Sequence, residues 1–233
     1  MRSGIVIAAW LKNSFIDYPG TVSTVLFFSG CNLRCPFCHN PSIVRGETGA
    51  EVRDEEVLDF LRRRRGLIGG VVLSGGEPAL QPGIADVAEK VRSLGCAVKL
   101  DTNGMLPEAV REVRPDYLAL DVKTSPDRYA ALCAAPYPDV ERRLRESADI
   151  VRAMGDRAEV RMTLAPGFID EASVRALGPM LRGVAKVYLQ PMQRNVPLLD
   201  PAFAALPPVP PELAQRCREV LAGYVGRCEV RGE

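Results

Sequence analysis

The chain has 233 residues, which is enough for one domain with a sizeable core and short for two. Hydrophobic residues make up 47% and charged residues 25%, ordinary globular values that exclude a disordered or collagen-like chain. Thirty basic side chains oppose twenty-nine acidic ones, so the net charge of +1 gives no reason to expect nucleic acid or an anionic membrane as a partner.

Apolar runs of strand length alternate with amphipathic helical repeats along the chain. The first predicted strand covers residues 22–28, and Asp54 can cap the helix that follows, which has acidic residues in its first turn and arginines in its last. Later strands are predicted at residues 71–73, 96–100, 117–122, 160–164 and 184–189, with a late strand at 228–230. Later helices are predicted at residues 84–94, 107–113, 140–154, 171–181 and 211–224.

Strands that alternate with helices predict a parallel sheet with right-handed crossovers. The chain offers six strand-then-helix units, whereas a closed eightfold barrel takes about 250 residues. We therefore predict an α/β fold, an incomplete TIM-like (β/α)6 barrel with a parallel sheet that is open on one side. Residues 1–233 are expected to form a single domain, with a core at about 20–195 and a C-terminal helical and rim segment at about 196–233.

The cellular compartment is suggested by what the sequence contains and lacks. The first ten residues form a short apolar run without the length or cleavage site of a signal peptide. No apolar stretch approaches the ~20 residues that a membrane helix needs. Three of the seven cysteines fall within eight residues, which favours metal binding in a reducing compartment over disulfides. We expect a cytoplasmic protein with no membrane partner.

The clustered cysteines, Cys31, Cys35 and Cys38, directly follow the first predicted strand. Three thiolates at this spacing can ligate three irons of a 4Fe–4S cluster. Without a fourth cysteine, one iron would keep an open position at which a substrate can bind. The carboxyl end of a strand is also where barrels of this kind carry their active sites.

Spacing alone leaves other interpretations of this run open. Zinc could take the three cysteines together with His39, and residues 35–39 also fit the attachment pattern of a haem. Three ordinary buried cysteines are a further alternative. The remaining cysteines are scattered without ligand spacing and are expected to be core or incidental residues: Cys96, Cys133, Cys217 and Cys228.

The cysteine run resembles the signature loop of the radical S-adenosylmethionine (SAM) superfamily, including the aromatic Phe37 before the last cysteine. Later in the chain, Gly75, Gly76 and Glu77 resemble the glycine-rich motif of that family. Glycine lacks a Cβ, so the backbone oxygens of such a motif can approach the ammonium group of a ligand closely. The resemblance implies two cofactors, SAM and one 4Fe–4S cluster held by the three cysteines.

Polar residues stand at the predicted ends of two consecutive strands, Asp101 and Thr102 on one, Asp121 and Lys123 on the next. Residues two apart on a strand point the same way, so Asp121 and Lys123 can face one ligand. The resemblance implies that these residues line the methionine end of SAM, the lysine suiting its carboxylate and the aspartates its ammonium or a bound cation. Gln190, at the sixth strand end, is a further candidate. Taken singly, the same positions also fit a turn and an interior ion pair.

Within the superfamily, the chain resembles the activating enzymes of glycyl radical enzymes, and most of all the anaerobic ribonucleoside-triphosphate reductase activating proteins. The matching segments are residues 14–20, 30–32, 38–41, 74–78, 100–104, 120–123 and 189–191. The resemblance implies reductive cleavage of SAM at the cluster and formation of a glycyl radical on a partner enzyme, with electrons from a flavodoxin or ferredoxin-type donor.

Several functions stay open beside this one. The partner could be another glycyl radical enzyme such as pyruvate formate-lyase, because the activating enzymes share these motifs. A radical SAM enzyme acting on a small metabolite is a second alternative. A non-catalytic zinc or electron-transfer module is a third.

Overall fold

The computed structural model describes residues 5–47 and 52–231, and its contacts divide the chain into two compact units. The first unit holds the described residues of Met1–Cys31, Ser42–Thr102 and Glu108–Leu118. The second holds those of Asn32–Pro41, Asn103–Pro107 and Ala119–Glu233.

Four strands form the sheet of the first unit in chain order: β1 (Ile7–Ser14), β2 (Ser23–Phe28), β3 (Gly70–Gly75) and β4 (Ala97–Thr102). β1 pairs with β2 in the antiparallel sense, whereas β2, β3 and β4 are parallel. The centre of β3, residues 71–73, has no solvent exposure. Such a continuous apolar run is typical of a parallel strand that is covered on both faces.

The helices along the chain are α1 (Pro41–Arg45), α2 (Asp54–Arg63), α3 (Ile84–Ser93), α4 (Pro107–Val113), α5 (Val140–Met154), α6 (Glu171–Leu181), α7 (Ala202–Ala205) and α8 (Pro211–Ala222). α2 has three acidic residues in its first turn and two arginines in its last, the order that the helix dipole favours. Its buried side chains, Val57, Phe60 and Leu61, share one face.

The chain passes from the first unit to the second within β5 (Tyr117–Asp121). In the second unit β6 (Ala158–Leu164), β7 (Lys186–Pro191) and β8 (Arg227–Val230) are parallel neighbours in chain order. In that register Thr163 lies opposite Gln190, and Leu189 lies opposite Val230. The carboxyl ends of these three strands therefore meet at one edge.

These elements confirm the predicted α/β class and the parallel pairing within each unit. The predicted bounds of α4, α5 and α6 match those observed, and the late strand is present as β8. The strand predicted at residues 22–28 is present as β2, but β1, which precedes it, was not predicted. Three consecutive residues of β1 are exposed and its pairing with β2 is irregular at two places, so its sequence lacks the alternation that would have identified it.

A search for membrane-spanning helices among residues 5–47 and 52–231 finds none that combines the necessary length and apolarity.

Candidate functional site

The glycine-rich turn after β3 packs directly against the backbone that follows β2 in the first unit. The Gly76 N–H donates to the carbonyl oxygen of Phe28 (2.9 Å), and the Glu77 N–H donates to that of Gly30 (2.8 Å). A Cβ on Gly76 would lie 1.9 Å from the Gly30 oxygen. Gly75 has a φ of +111°, and a Cβ there would lie 2.4 Å from the Phe28 nitrogen. Both positions therefore require glycine.

Glu77, which follows β3, connects to the end of β4 through its carboxylate. The residue is buried, with 1% exposure. Its Oε1 accepts hydrogen bonds from the Thr102 hydroxyl (2.8 Å) and from the Ala79 N–H (3.1 Å). A buried carboxylate is stable only when such donors replace water. The structure thus brings two predicted site residues, Glu77 and Thr102, into direct contact.

Asp101 is held by two neighbours at the same strand ends. The Lys99 ammonium lies 2.5 Å from its Oδ1, and the Ser74 hydroxyl donates to its Oδ2 at 3.0 Å. The Lys99 side chain is 2% exposed, so the aspartate neutralises a buried cation. Lys99 was not among the predicted site residues. Its signal is a lysine within the apolar strand β4, two positions before the aspartate.

In the second unit, Asp121 is the centre of a three-residue charge cluster that we call the β5 charge cluster: Asp121, Lys123 and Arg161. Arg161 donates from Nε to Oδ1 of Asp121 (2.8 Å) and from Nη2 to Oδ2 (3.2 Å). The Lys123 ammonium lies 3.3 Å from Oδ2. All three side chains are between 16% and 23% exposed, so the predicted pair of Asp121 and Lys123 does come together.

The electrostatics of the β5 charge cluster follow from its composition. Burial acts to raise the pKa of Asp121, but the positive charges of Arg161 and Lys123 outweigh it and hold the pKa well below its usual range. Burial acts to lower the pKa of Lys123, but the Asp121 carboxylate outweighs it and raises the pKa overall. Two cations against one anion leave one positive charge, which suits an anionic group of a ligand. Sequence reasoning missed Arg161.

The cysteine loop, residues 31–38, belongs to the second unit from Asn32 onwards, and residues 132–134 of that unit hold this part of the loop. Leu33 forms an antiparallel bridge with Cys133, and the Ala134 N–H donates to the carbonyl of Asn32 (3.1 Å). The Asn103 amide donates to the Asn32 side-chain oxygen at 2.7 Å. The backbone of this part of the loop is therefore fixed by protein contacts.

Further along the loop, the Cys38 N–H donates to the Cys35 carbonyl (3.0 Å), so the two cysteines bracket a tight turn. Cys35 is 7% exposed, and Cys31 and Cys38 are half-buried. All seven cysteines lie among the described residues, and none is in a disulfide. Over residues 5–47 and 52–231, no three His, Cys, Asp or Glu side chains are gathered as a metal-binding group. The donor set itself fits an iron–sulfur cluster, because thiolates are its usual ligands. Ligation by these cysteines stays a prediction.

The remaining predicted residues have less defined surroundings. The Phe37 ring is 5% exposed and packs on Phe168, with ring centroids 5.2 Å apart. Its contact with SAM stays a prediction. The His39 side chain is exposed, and Gln190 is half-buried at the end of β7.

A cavity of about 210 Å³ opens at the carboxyl ends of the second unit's strands. Its lining includes the last residue of each of β6, β7 and β8: Leu164, Pro191 and Val230. α/β folds characteristically bind ligands at this edge.

Comparison with known proteins places these observations in a family context. The sequence profile of the Radical SAM superfamily matches residues 25–176. A Methanocaldococcus jannaschii protein, MJ1227, provisionally named a glycyl-radical enzyme activating enzyme, is 32% identical over 180 residues, 72% of this chain and 72% of that protein. The pyruvate formate-lyase-activating enzyme of Clostridium pasteurianum is 31% identical over 188 residues, 76% of this chain and 77% of that enzyme. The 7-carboxy-7-deazaguanine synthase of Hyperthermus butylicus is 38% identical over 96 residues, 41% and 40% of the two chains.

Solved structures show a likeness of fold. SuiB of Streptococcus suis, bound to its precursor peptide SuiA, matches with a TM-score of 0.64 and 15% identity, over 89% of this chain and 48% of SuiB. A radical SAM methyltransferase from Sphaerobacter thermophilus matches with a TM-score of 0.62 and 19% identity, over 94% and 68% of the two chains. These likenesses confirm the predicted class of fold, a TIM-like α/β architecture.

Proposed function

We propose that this chain, which belongs to the radical SAM superfamily and is homologous to glycyl-radical-enzyme activating enzymes, generates a glycyl radical on a partner enzyme. The observation that carries the proposal is the likeness to two such activating enzymes over about three quarters of each chain. The site geometry supports it, because charged residues stand at strand ends in each unit and the first unit also has the glycine-rich turn.

Membership of the family implies two cofactors, SAM and a 4Fe–4S cluster. Cys31, Cys35 and Cys38 would hold the cluster, since they supply the three thiolates that such a site needs. When both groups are bound, they supply a carbon-centred radical that can remove a hydrogen atom from the Cα of a glycine.

The chain's own residues would bind and orient SAM. Lys123 would contact the carboxylate at the methionine end of SAM. Arg161 and Asp121 would fix the position of the Lys123 ammonium group. In the first unit, the backbone of residues 75–77 would accept hydrogen bonds from the amino group of SAM. Asp101 and Thr102, which are held by Lys99 and Glu77 respectively, are candidate contacts of SAM in that unit. Phe37 and Gln190 are further candidate contacts.

Two observations point to two partner enzymes. The sequence motifs favour anaerobic ribonucleoside-triphosphate reductase, whereas the Clostridium pasteurianum relative favours pyruvate formate-lyase. A flavodoxin or ferredoxin-type protein would supply the electron. Seven cysteines without a disulfide fit the reducing conditions of the cytoplasm.

A second function, action on a small metabolite, is favoured by the matches to 7-carboxy-7-deazaguanine synthases. The match to the Hyperthermus butylicus enzyme reaches 38% identity but covers only 41% of this chain, and the match to the Thermococcus kodakarensis enzyme covers 81% of this chain at only 26% identity. The activating enzymes combine long coverage with more than 30% identity, so this function comes second.

Anaerobic reconstitution tests the proposal. The wild-type protein should take up iron and sulfide, whereas Cys31→Ala, Cys35→Ala and Cys38→Ala should each fail to do so and Cys133→Ala should behave as wild type. With SAM, a reductant and either partner enzyme, the loaded protein should produce a glycyl radical signal in the electron paramagnetic resonance (EPR) spectrum of that partner. Multiple turnovers on a small metabolite without a partner protein would move the assignment to the second function. Binding of one zinc and no iron would overturn both.

A further inference from the structure

The chain that follows β7 returns to the cysteine loop and pairs with its backbone. We call residues 198–205 the strap. The Leu199 N–H donates to the carbonyl of Cys38, and the Asp200 N–H donates to that of Pro36, both at 2.9 Å. Consecutive backbone donors of the strap therefore hold two carbonyls of the turn that carries the cysteines.

An aromatic cluster adds side-chain packing to this backbone pairing. Phe203 of the strap contacts Phe37 of the cysteine loop, with ring centroids 6.5 Å apart, and Phe168 at 5.9 Å. Phe37 and Phe168 are 5.2 Å apart, so each ring packs on the other two. Tilted rings at such distances attract one another beyond their burial of apolar area.

The strap has a defined conformation of its own. The Asp200 carboxylate accepts a hydrogen bond from the N–H of Ala202 (3.0 Å), the first residue of the short helix α7 that carries Phe203. Arg194, just after β7, donates from Nη2 to the carbonyl of Ala204 (3.0 Å). Leu198 is 4% exposed and anchors the start of the strap. The strap is thus secured at both ends and in its middle.

We propose that the strap is a positioning element for the cysteine loop and that Phe203 is its main positioning residue. The strap fixes the turn between Cys35 and Cys38 in the metal-free protein. Less conformational entropy is therefore lost when the cluster binds. This inference rests on the proposed function. We assign Phe203 no contact with SAM; it acts through its contact with Phe37 of the cysteine loop.

The first experiment compares cluster retention in Phe203→Ala, Phe203→Leu and wild type. After anaerobic reconstitution, Phe203→Ala should lose iron to a chelator about tenfold faster than wild type, within the usual range for groups that orient metal ligands. Phe203→Leu should recover most of the loss, because leucine restores apolar contact with Phe37. Phe15→Ala is the matched control, since Phe15 is 77% exposed in the other unit. Thermal unfolding of the metal-free proteins shows whether Phe203→Ala still folds.

The second measurement needs no cluster. Alkylation of each cysteine in the metal-free protein is followed by mass spectrometry, and Cys35 should react several-fold faster in Phe203→Ala than in wild type, with Cys217 unchanged. If Cys35 is alkylated faster in Phe203→Ala and the wild-type protein takes up no cluster, the role of the strap is supported and the proposed function is overturned. A wild-type rate of chelation in a loaded Phe203→Ala protein, or an unchanged Cys35 alkylation rate, would overturn the strap and leave the proposed function standing.

Discussion

Arg161 binds the carboxylate of Asp121 in a bidentate manner, with hydrogen bonds of 2.8 and 3.2 Å, although the two residues are 40 positions apart in the chain. The planar guanidinium matches both carboxylate oxygens, which fixes the direction of Asp121 as well as its charge. Lys123 lies 3.3 Å from one of those oxygens, so the same contact sets where its ammonium stands. The β5 charge cluster therefore owes its geometry to Arg161.

Removing Arg161 should destabilise the protein more than removing a surface arginine. In Arg161→Ala the largely buried Asp121 carboxylate keeps Lys123 as its partner but loses its stronger contact. The free energy of unfolding should therefore fall by about 3 kcal/mol. Arg161→Lys should lose less, because it keeps the charge without the two-pronged geometry. Urea unfolding of the metal-free proteins measures both. Arg142→Ala breaks two ion pairs at the surface, with Asp139 and Glu146, and should stay close to wild type. Equal losses for Arg161→Ala and Arg142→Ala would contradict the role given to Arg161.

The stabilisation from Asp121 should depend on pH. Its pKa in the folded protein lies below the ordinary 3.8, because the charges of Arg161 and Lys123 outweigh the effect of burial. A carboxyl group with a lowered folded pKa stabilises the fold above the unfolded pKa and loses that contribution as pH falls through the folded value. The contribution is thus present at neutral pH and lost progressively below about pH 4.

Asp121→Asn reports that contribution directly. Its loss of unfolding free energy relative to wild type should be largest at about pH 7 and should shrink towards about pH 3, because the carboxyl of the unfolded wild-type chain takes up a proton there while that of the folded protein stays ionised. Asp59→Asn, at an exposed ion pair with Arg62, is the control and should change stability little at either pH. A constant effect of Asp121→Asn across this range would show that its charge is not what matters.

The glycine-rich turn gives a steric prediction. Gly76→Ala would place a Cβ 1.9 Å from the backbone oxygen of Gly30, and backbone cannot move aside as a flexible side chain can. The unfolding free energy should fall by about 3 kcal/mol, the upper end of the usual cost of overpacking. Gly223→Ala is a matched control, because its Cβ would meet nothing closer than 3.5 Å. If both variants unfold at the same urea concentration, the close approach at Gly76 is not rigid.

Lys123 gives a prediction about SAM. Lys123→Ala should leave the iron content of the reconstituted protein near wild type and weaken SAM binding roughly ten- to hundredfold, the usual loss for one charge-assisted hydrogen bond. Titration of SAM into the reduced protein, followed by EPR, gives the affinity. Lys186→Ala removes a half-buried lysine whose ammonium donates a hydrogen bond to the Asp156 carbonyl, and this variant should bind SAM as wild type does. Unchanged affinity in Lys123→Ala would make Lys123 a structural partner of Asp121 alone.

Most of the fold could be predicted because its signals are local. α5 shows how: its apolar positions recur at helical spacing, and Gly155, with a φ of +58°, ends it at the predicted residue. β1 could not be predicted, because an edge strand that pairs on one side carries little periodicity in its own sequence. Its existence depends on β2, which supplies the pairing.

The site was predictable only where the motif itself carries the residue. Glu77 and Thr102 were both identified from their positions, but nothing in the sequence shows that they are bonded to each other across 25 residues. Arg161 and Phe203 were missed for the same physical reason, because their partners Asp121 and Phe37 are distant in the chain. A charged residue inside an apolar strand, as at Arg161, is the one signal that could have identified it.

Isotope labelling tests directly whether this chain removes a hydrogen atom from a glycine of a partner enzyme. The partner enzyme is prepared with its target glycine deuterated at Cα and mixed anaerobically with the reconstituted chain, SAM and a reductant. Mass spectrometry then measures deuterium in the 5′-deoxyadenosine that SAM cleavage releases. We predict one deuterium in each 5′-deoxyadenosine, and an amount of 5′-deoxyadenosine in proportion to the glycyl radical on the partner. Unlabelled 5′-deoxyadenosine, released at the same rate with and without the partner, would contradict it.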